Sequence, residues 1–366
     1  MTAGGRMGMK TMQGCQLMPG AAFHVAIDNK GLWPNLFLLP GGDIGAFIYN
    51  HPSHGYGSNS DIEMWTSADG GVNWQLRSRV SSHDDDPAAI RMNHAAGLNA
   101  RGEPVVLVSG YQEGQRKPLL PLQCCVSPDS GLTWQRHCLP DLQDRIPYGR
   151  ILCLPDGMLA CPFYRVTACA NGMRKQSVEI FESRDGGQSW ALRAPLADNA
   201  NETYLLRLRS GSWLASCRMA VRDPLDNSLP HGSGERLFRS GDEGRTWDKG
   251  RPVSPQGQEN AHLLELHDGR LLYSFTSRIP GLFGVVYRMS RDEGQTWSLP
   301  VVLISIPARD WLVTDCGYPS SVQLPDRTIV TAYYFGPKQP GGGLPWHDRY
   351  HMGVARWKPD CWPDPV

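Results

Sequence analysis

Two apolar runs that flank a short polar turn form a unit that recurs six times along the chain. The units read "LFLLPGGDIGAFIYN", "AGLNARGEPVVLVSG", "ILCLPDGMLACPFYR", "YLLRLRSGSWLASCR", "LLELHDGRLLYSFTS" and "SSVQLPDRTIVTAYY". Apolar runs of this length on either side of turn residues are typical of two antiparallel strands joined as a hairpin. The central turn positions are Gly42, Gly102, Gly157, Gly211, Gly269 and Arg327. The pattern therefore predicts a chain built from repeated hairpins.

A second motif, Ser-x-Asp-x-Gly-x-(Thr/Ser/Asn)-Trp, follows the hairpin in the first five units. These boxes begin at Ser67, Ser127, Ser183, Ser240 and Ser290, with spacings of 60, 56, 57 and 50 residues. In such a turn the Asp accepts N–H bonds, the Gly permits a positive φ and the Trp packs as a large apolar wedge. We interpret the boxes as structural turns that close a second hairpin. The alternative is calcium binding by the box acids Asp69, Asp129, Asp185, Asp242 and Asp292.

Six units of two hairpins each predict an all-β fold, a six-bladed β-propeller with blades of four antiparallel strands. We expect one propeller domain over residues 22–366, preceded by an N-terminal extension over residues 1–21. The early strand "AFHVAID", from Ala22, is expected to join the strand "YHMGVARW", from Tyr350, in the last blade. That pairing closes the ring and leaves no long edge strand exposed.

The composition agrees with this fold and excludes some partners. Forty Gly and 29 Pro favour many tight turns, and 36 basic against 36 acidic residues give no global field for nucleic acid or an anionic membrane. The sequence has no apolar run of signal-peptide or membrane-spanning length, which favours a soluble, cytoplasmic protein. The ten cysteines lack a zinc-type spacing. We expect them to be mostly reduced, with a disulfide framework as the alternative, and we expect no metal or cofactor.

The repeat phase also predicts where a ligand binds. Nine residues before each turn, at the start of each first strand, stand the ring positions Trp33, Asn93, Tyr148, Glu202, Asn260 and Tyr318. The second strands end near Asn50 and His51, Tyr111, Arg165, Arg218, Arg278 and Tyr334. Both sets lie at the same end of a hairpin, so we expect them around one mouth of the propeller. Three arginines there predict an anionic, sugar-sized ligand, although solvated strand ends are the simpler alternative.

Two segments carry a resemblance to a known family. The segment "NETYLLRLRSGSWLASCR" is similar to the fourth-blade segment of the sialidase superfamily, and "GYPSSVQLPDRTIVTAYY" resembles its last-blade segment. With the five boxes, this resemblance covers nearly the whole chain. It implies a retaining glycoside hydrolase in which Tyr318 is the nucleophile, Glu202 its base and Arg218 a ligand of the substrate carboxylate. Sialidases with a tyrosine nucleophile are exceptions among glycosidases that otherwise use two carboxylates.

The first blade departs from the family pattern. The stretch Leu32-Trp33-Pro34 lacks the expected carboxylate-binding arginine. In the fifth blade the stretch "GLFGVVYR" replaces the arginine expected before the box, and Arg278 is expected to substitute for it. For the acid that protonates the leaving group, the loop "NHPSHGYGSNSD" offers His54 or Asp61. These assignments predict an exo-acting sialidase-like enzyme for a terminal anionic sugar, either sialic-acid-like or uronic.

Two other functions remain open on the sequence. A propeller lyase acting on a uronate-containing glycan would use His94 and Tyr148 to move a proton and Arg165 to neutralise the carboxylate. A carbohydrate-binding propeller would have no turnover at all. The products distinguish the three possibilities: a hydrolase releases a reducing sugar, a lyase forms an unsaturated uronate that absorbs in the near ultraviolet, and a binding protein does neither.

Overall fold

The computed structural model describes residues 16–17, 21–54, 60–84, 86–115, 119–168, 174–220, 234–279, 281–306, 314–339, 343–344 and 347–359. These residues form six sheets of mostly antiparallel strands, one sheet for each sequence unit. Within this described part, the helical element is a short 3-10 turn at Pro140–Leu142. The predicted all-β, six-bladed propeller is confirmed.

The first three blades are numbered in chain order. Blade 1 contains Leu32–Leu38, Ile44–Tyr49, Ile62–Ser67 and Gln75–Arg79. Blade 2 contains Ala89–Leu98, Pro104–Gln112, Leu122–Val126 and Gln135–Leu139. Blade 3 contains Arg145–Pro147, Leu152–Cys153, Leu159–Ala168, Arg174–Ser183 and Ala191–Asp198. The short strand Gly149–Arg150 lies between the two inner segments of blade 3 and pairs in parallel with the first strand of blade 2.

The last three blades follow the same plan. Blade 4 contains Ala200–Arg207, Trp213–Met219, Glu235–Ser240 and Arg251–Pro252. Blade 5 contains Gln258–Glu265, Leu271–Ser277, Gly284–Ser290 and Val301–Ser305, with Gln16–Leu17 added in parallel at its outer edge. Blade 6 contains Thr314–Gln323, Ile329–Pro337, His351–Trp357 and the N-terminal strand Ala22–Asp28. The predicted closure of the last blade by the early strand is therefore confirmed.

The first strand of each blade, called here the inner strand, lies at the axis. Each inner strand contacts those of the neighbouring blades, and the inner strand of blade 6 contacts that of blade 1. The apolar core lies between the blades. Ile44 and Trp74 of blade 1, for example, belong to the same buried cluster as Val330 and Val354 of blade 6. Closing the ring therefore buries the faces of all the blades.

The turn between the first and second strands has the same geometry in every blade. Its central residue has a positive φ, between 67° and 94°, and five of the six are glycines, which adopt this conformation without a Cβ clash. Its backbone N–H bonds the carbonyl oxygen three residues earlier in all six turns, at 2.9–3.0 Å. The sequence phase set by Gly42, Gly102, Gly157, Gly211, Gly269 and Arg327 is thus confirmed.

The five boxes join the third and fourth strands and stabilise their own turns. In the box of blade 2, the Asp129 carboxylate accepts the backbone N–H of Leu132 and of Thr133 and the Thr133 hydroxyl, at 3.1, 2.8 and 2.6 Å. The Ser127 hydroxyl bonds Asp129 and accepts the N–H of Gly131. The same local pattern holds Asp69, Asp185, Asp242 and Asp292. The structural interpretation of the boxes is confirmed.

Antiparallel order places the boxes away from the ring positions. Inner strands run from the ring position to the first turn, and the third strands run in the same direction to the box. The boxes therefore lie at the end of each blade opposite Tyr318 and its equivalents, as the sequence analysis expects.

Two further expectations concern the whole chain. The cysteines within the described residues, including the adjacent Cys124 and Cys125, form no disulfide, whereas Cys15, Cys169 and Cys361 lie outside them. None of the described segments forms a helix with the length and apolar character needed to cross a membrane.

Candidate active site

A β-bulge occurs at the ring position in five of the six inner strands. The register against the second strand shifts by one residue between Leu32 and Asn35, Arg91 and His94, Ala200 and Thr203, Glu259 and His262, and Gly317 and Ser320. In blade 3 the inner strand is instead interrupted at Tyr148. A bulge bends the strand and redirects one side chain out of the regular alternation. The repeat therefore includes a local irregularity that presents each ring residue to the axis.

Three of these ring residues have strained backbones. Trp33, Asn260 and Tyr318 have φ values of 52°, 58° and 51°, in the left-handed region that non-glycine residues rarely adopt. Next to Tyr318, Gly317 has a φ of 121°, and a Cβ there would lie 1.9 Å from the Thr276 hydroxyl. Strain of this kind is retained where the surrounding structure enforces it, which is common at functional sites.

Five of the six ring positions line one small axial cavity. Trp33, Asn93, Tyr148, Glu202 and Tyr318 surround it, and it reaches inward along the strands to Asn35, Tyr204, His262 and Ser320. Its volume is about 40 Å³, enough for water molecules but not for a pyranose ring. A sugar must therefore bind above this cavity, at the mouth.

Tyr318 and Glu202 are hydrogen-bonded across the axis. The Tyr318 hydroxyl donates to Glu202 Oε1 at 2.7 Å, although the two residues are 116 positions apart. Asn260 Nδ2 donates to Glu202 Oε2 at 2.6 Å, and the Arg218 guanidinium also donates to this oxygen. Glu202 is thus held as an acceptor by groups from three blades. The distance between Tyr318 and Glu202 lies in the range over which a base can take a proton directly, and the catalytic roles of the pair stay predictions.

Tyr318 is surrounded by aromatic rings, and its pKa is raised. Its ring centroid lies 5.6, 6.0 and 6.3 Å from those of Tyr334, Tyr148 and Trp33. Burial and the negative charge of Glu202 raise the pKa of Tyr318 well above its usual value, despite the opposing charges of the nearby arginines. The phenol therefore becomes a nucleophile only as a base removes its proton.

The arginines Arg218 and Arg278 are brought together by a residue that the sequence analysis missed. Glu259 is fully buried in the inner strand of blade 5. Its Oε2 lies 2.8 Å from Arg218 Nε, and its Oε1 accepts Arg278 Nη1 at 2.8 Å. Arg278 also lies 3.5 Å from Asp315. The two predicted anion-binding arginines are thus both paired with protein carboxylates.

His54 lies at the exposed side of the site and contacts Asp315. Its Nδ1 is 2.5 Å from Asp315 Oδ2, and its ring meets Trp33 edge-on at 5.0 Å. The His54 side chain is 41% exposed, whereas Asp315 is almost completely buried. Burial raises the pKa of the Asp315 carboxyl, but the hydrogen bond to His54 and the charges of His54, Arg278 and Lys338 outweigh it. The pKa falls well below its usual value.

Asp61, the other candidate acid, belongs to a separate group of contacts. Its carboxylate is fully buried and contacts Ser81 Oγ at 2.8 Å, His83 Nδ1 at 2.6 Å and Arg79 at 3.6 Å. All three partners belong to the outer strand of blade 1 or follow it directly. The structure therefore does not bring Asp61 together with Tyr318 and Glu202.

The residues of the lyase hypothesis are only partly assembled. His94 and Tyr148 both line the axial cavity, but Arg165 contacts Asp144 at 3.6 Å and Thr167 at 3.4 Å. Burial lowers the pKa of His94 to about 4, so this imidazole is neutral at pH 7. Burial likewise raises the pKa of Tyr148 well above its usual value.

A larger cavity of about 500 Å³ lies at the turn ends of the inner strands. Asn99, Arg150, Glu265 and Gln323 are among the residues that line it. We locate the candidate active site at the other end, because Tyr318 and Glu202, the predicted nucleophile and base, lie there with two arginines. Among the described residues, no cluster of three or more His, Cys, Asp or Glu could hold a metal ion.

Similarity to known proteins supports the fold. Residues 151–310 match the family model of the BNR repeat-like domain. No curated protein sequence is significantly similar to this chain. A crystal structure of a protein of unknown function from Dyadobacter fermentans has a TM-score of 0.73 at 20% identity, covering 93% of this chain and 99% of that one.

Two of the similar structures are sialidases. A Hadza microbial sialidase has a TM-score of 0.68 at 16% identity, covering 91% of this chain and 66% of that one. The Trypanosoma rangeli sialidase in complex with the inhibitor DANA has a TM-score of 0.67 at 14% identity, covering 93% and 60%. The chain thus spans less than two thirds of either sialidase. The family model supports the repeat, and the likeness to these structures supports the six-bladed fold.

Proposed function

We propose that the protein is a sialidase-like glycoside hydrolase that removes a terminal sugar by a retaining mechanism. One observation carries the proposal: the Tyr318 hydroxyl donates to Glu202 at 2.7 Å, from two inner strands that share the same ring position. A phenol beside a carboxylate at the mouth of a closed ring has the geometry of an activated nucleophile.

In the first half of the reaction, Tyr318 forms a bond to the anomeric carbon as Glu202 takes the phenolic proton. The bond from that carbon to the leaving oxygen breaks, and an acid donates a proton to this oxygen. In the second half, water attacks the anomeric carbon and gives one proton to the residue that acted as acid in the first half. The bond from that carbon to Tyr318 breaks, and Tyr318 recovers its proton from Glu202. The two displacements together retain the anomeric configuration.

His54 is the better candidate for the acid. It is partly exposed near Trp33, where a leaving group can reach it, and the buried Asp315 carboxylate holds its Nδ1. Asp315 orients the ring and stabilises the imidazolium, as a carboxylate does for other catalytic histidines. Asp61 is fully buried, and its carboxylate contacts Ser81, His83 and Arg79. It would have to break these contacts to reach a leaving group.

The sugar would lie at the mouth, against Trp33 and Tyr148, because the axial cavity is too small for it. The arginines of the sequence predict an anionic sugar. The proposed reaction does not depend on the charge of the sugar. The arginines that would bind an anionic sugar, Arg218 and Arg278, already pair with Glu259.

Product analysis tests the proposal. The protein is incubated with a panel of 4-methylumbelliferyl glycosides and with uronate-containing oligosaccharides, and reducing sugar and near-ultraviolet absorbance are followed together. We expect fluorophore and reducing sugar without unsaturated product, and a retained anomer in the first product detected by NMR. An unsaturated uronate would favour the lyase set of His94, Tyr148 and Arg165, and specific binding without turnover would favour a binding propeller.

A further inference from the structure

We propose that the site selects a sugar without a carboxylate, and that Glu259 is the residue that determines this specificity. The inference rests on the proposed function for the reaction at Tyr318, but it concerns only the charge that the ligand carries. Glu259 is a fully buried carboxylate that already bridges the two arginines predicted to bind an anionic ligand.

Glu259 uses one oxygen for each arginine. Oε2 lies 2.8 Å from Arg218 Nε in blade 4, and Oε1 lies 2.8 Å from Arg278 Nη1 in blade 5. A ligand carboxylate bound between these arginines would compete for the same donors. Glu259 has no exposed surface, so it cannot turn out into solvent to make room for a ligand.

In this network each permanent cation contacts a carboxylate, and the proposed acid His54 contacts Asp315 as well. Within the described residues, Arg218, Arg278 and Lys338 are linked through contacts of at most 3.8 Å to the carboxylates of Glu202, Glu259 and Asp315. The third sequence-predicted cation, Arg165, contacts Asp144 instead. A further carboxylate beside these three described cations would meet the like charges of Glu202, Glu259 and Asp315, which already contact them.

Aromatic and amide groups remain to bind a neutral sugar. Trp33 stands at the ring position of blade 1 and lines the mouth with Tyr148 and Asn93. An indole face suits the apolar face of a pyranose ring, and the amide suits its hydroxyls. Glu202 also accounts for a tyrosine nucleophile with a neutral substrate, because a carboxylate in place of Tyr318 would face the Glu202 carboxylate at hydrogen-bond distance.

The test compares ligands that differ only in the carboxylate. The affinities of N-acetylneuraminic acid and of its methyl ester for the protein are measured separately by calorimetry. The affinities of 4-methylumbelliferyl glucuronide and galacturonide are compared with those of the glucoside and the galactoside. For the wild-type protein we expect the acids to bind at least about 100-fold more weakly than their neutral partners or not at all. Tighter binding of any acid than of its neutral partner would overturn the proposal.

The variant Glu259→Gln sharpens the test. It removes the resident charge but keeps the side-chain size, so we expect at least about tenfold tighter binding of the acids than in the wild type. Glu265→Gln is the matched control, because Glu265 lies on the same strand but pairs with Arg209 at the opposite end. No gain in Glu259→Gln, or an equal gain in Glu265→Gln, would contradict the proposal.

The proposal stays testable in two other cases. If Glu259→Gln does not fold, the acid and ester comparison on the wild-type protein decides. If no probe is hydrolysed, the proposed reaction is wrong, whereas the binding comparison still reports the charge preference. Hydrolysis of an anionic probe in preference to its neutral partner would have the opposite meaning: the reaction would stand and the charge inference would fall.

Discussion

Two sets of carboxylates mark the two ends of the propeller, and they are stabilised in different ways. The box acids, such as Asp129, accept hydrogen bonds from residues at most four positions away and are exposed to solvent. The mouth acids Glu202, Glu259 and Asp315 are buried or nearly so, and their partners come from other strands and other blades. The box turns are therefore stabilised by residues close to them in sequence, whereas the site forms only when the blades have closed into the ring.

The pKa values differ in the same way. Hydrogen bonds from Thr133 lower the pKa of Asp129 to about 2. Behind Arg218, burial raises the pKa of Glu235 to about 8, against the opposing effects of Ser216 and Arg218. The box acids are therefore stable as anions, while a buried acid near the mouth is held neutral at pH 7.

The largest expected effect is on turnover. Tyr318→Phe and Glu202→Gln should each lower kcat by about 10²–10⁴-fold, because each removes half of one proton-transfer pair. The double variant should be little slower than either single one, since the two residues act together. Tyr287→Phe is the matched control and should keep full activity. Tyr287 is a buried tyrosine of blade 5 whose ring packs on Trp357 of blade 6. Additive losses would show that the two residues act independently.

The next largest effect is on stability at the mouth. Glu259→Ala should lower the free energy of unfolding by about 3–5 kcal/mol, because it removes the buried carboxylate that two guanidinium groups share. Arg218 then keeps only Glu202, and Arg278 only Asp315. Urea denaturation measures this loss. Glu265→Ala, whose ion pair with Arg209 is longer and partly exposed, should cost much less. Equal losses for both variants would mean that the mouth network has no special energetic role.

Unfolding at different pH values separates the two sets of acids. The pKa of Glu235 in the folded state, about 8, is above the unfolded value. Its contribution to stability is therefore full below about pH 4.5 and is lost as pH rises to about 8, by roughly 1.4 kcal/mol per pH unit. Glu235→Gln should remove this slope. The box acid Asp129 has a pKa lowered to about 2, so its contribution is full above its ordinary value near 3.8 and is lost as pH falls through about 2. A slope in the variant equal to that of the wild type would contradict the assignment.

The smallest expected effect is at the box end. Ser183 is buried, bonds Asp185 and accepts the backbone N–H of Gly187 at 2.9 Å. Ser183→Ala should cost about 1–2 kcal/mol of stability, since it leaves this N–H without its partner. Because the box is far from Tyr318, kcat and KM should not change. A changed KM would mean that the two ends of the blade are coupled.

The sequence predicted the parts of the fold that depend on neighbouring residues. The hairpin turns at Gly42 and its equivalents, and the boxes, are satisfied within a few positions, so their signals recur at a fixed phase. The ring positions follow from that phase by counting nine residues back. This counting also found Tyr318 and Glu202, because both occupy the same place in their blades.

The rest of the site could not be predicted from the phase. Glu259 directly precedes a ring position and Asp315 lies three residues before one, so a search for acidic residues next to the ring positions would have found both. Their pairing with Arg218, Arg278 and His54 depends on how neighbouring blades face each other across the bulges. The choice between His54 and Asp61 likewise depends on burial, which the loop sequence does not determine.

The most direct test of the account is to look for a covalent sugar on Tyr318. The protein is mixed with a 4-methylumbelliferyl glycoside that it hydrolyses, and the reaction is stopped with acid within the first turnovers. The protein is then digested, and the peptide that contains Tyr318 is analysed by mass spectrometry. We predict that this peptide gains the mass of one glycosyl group, and that the gain is absent in Tyr318→Phe. Turnover in the wild-type protein with the sugar attached to another residue would contradict the central claim.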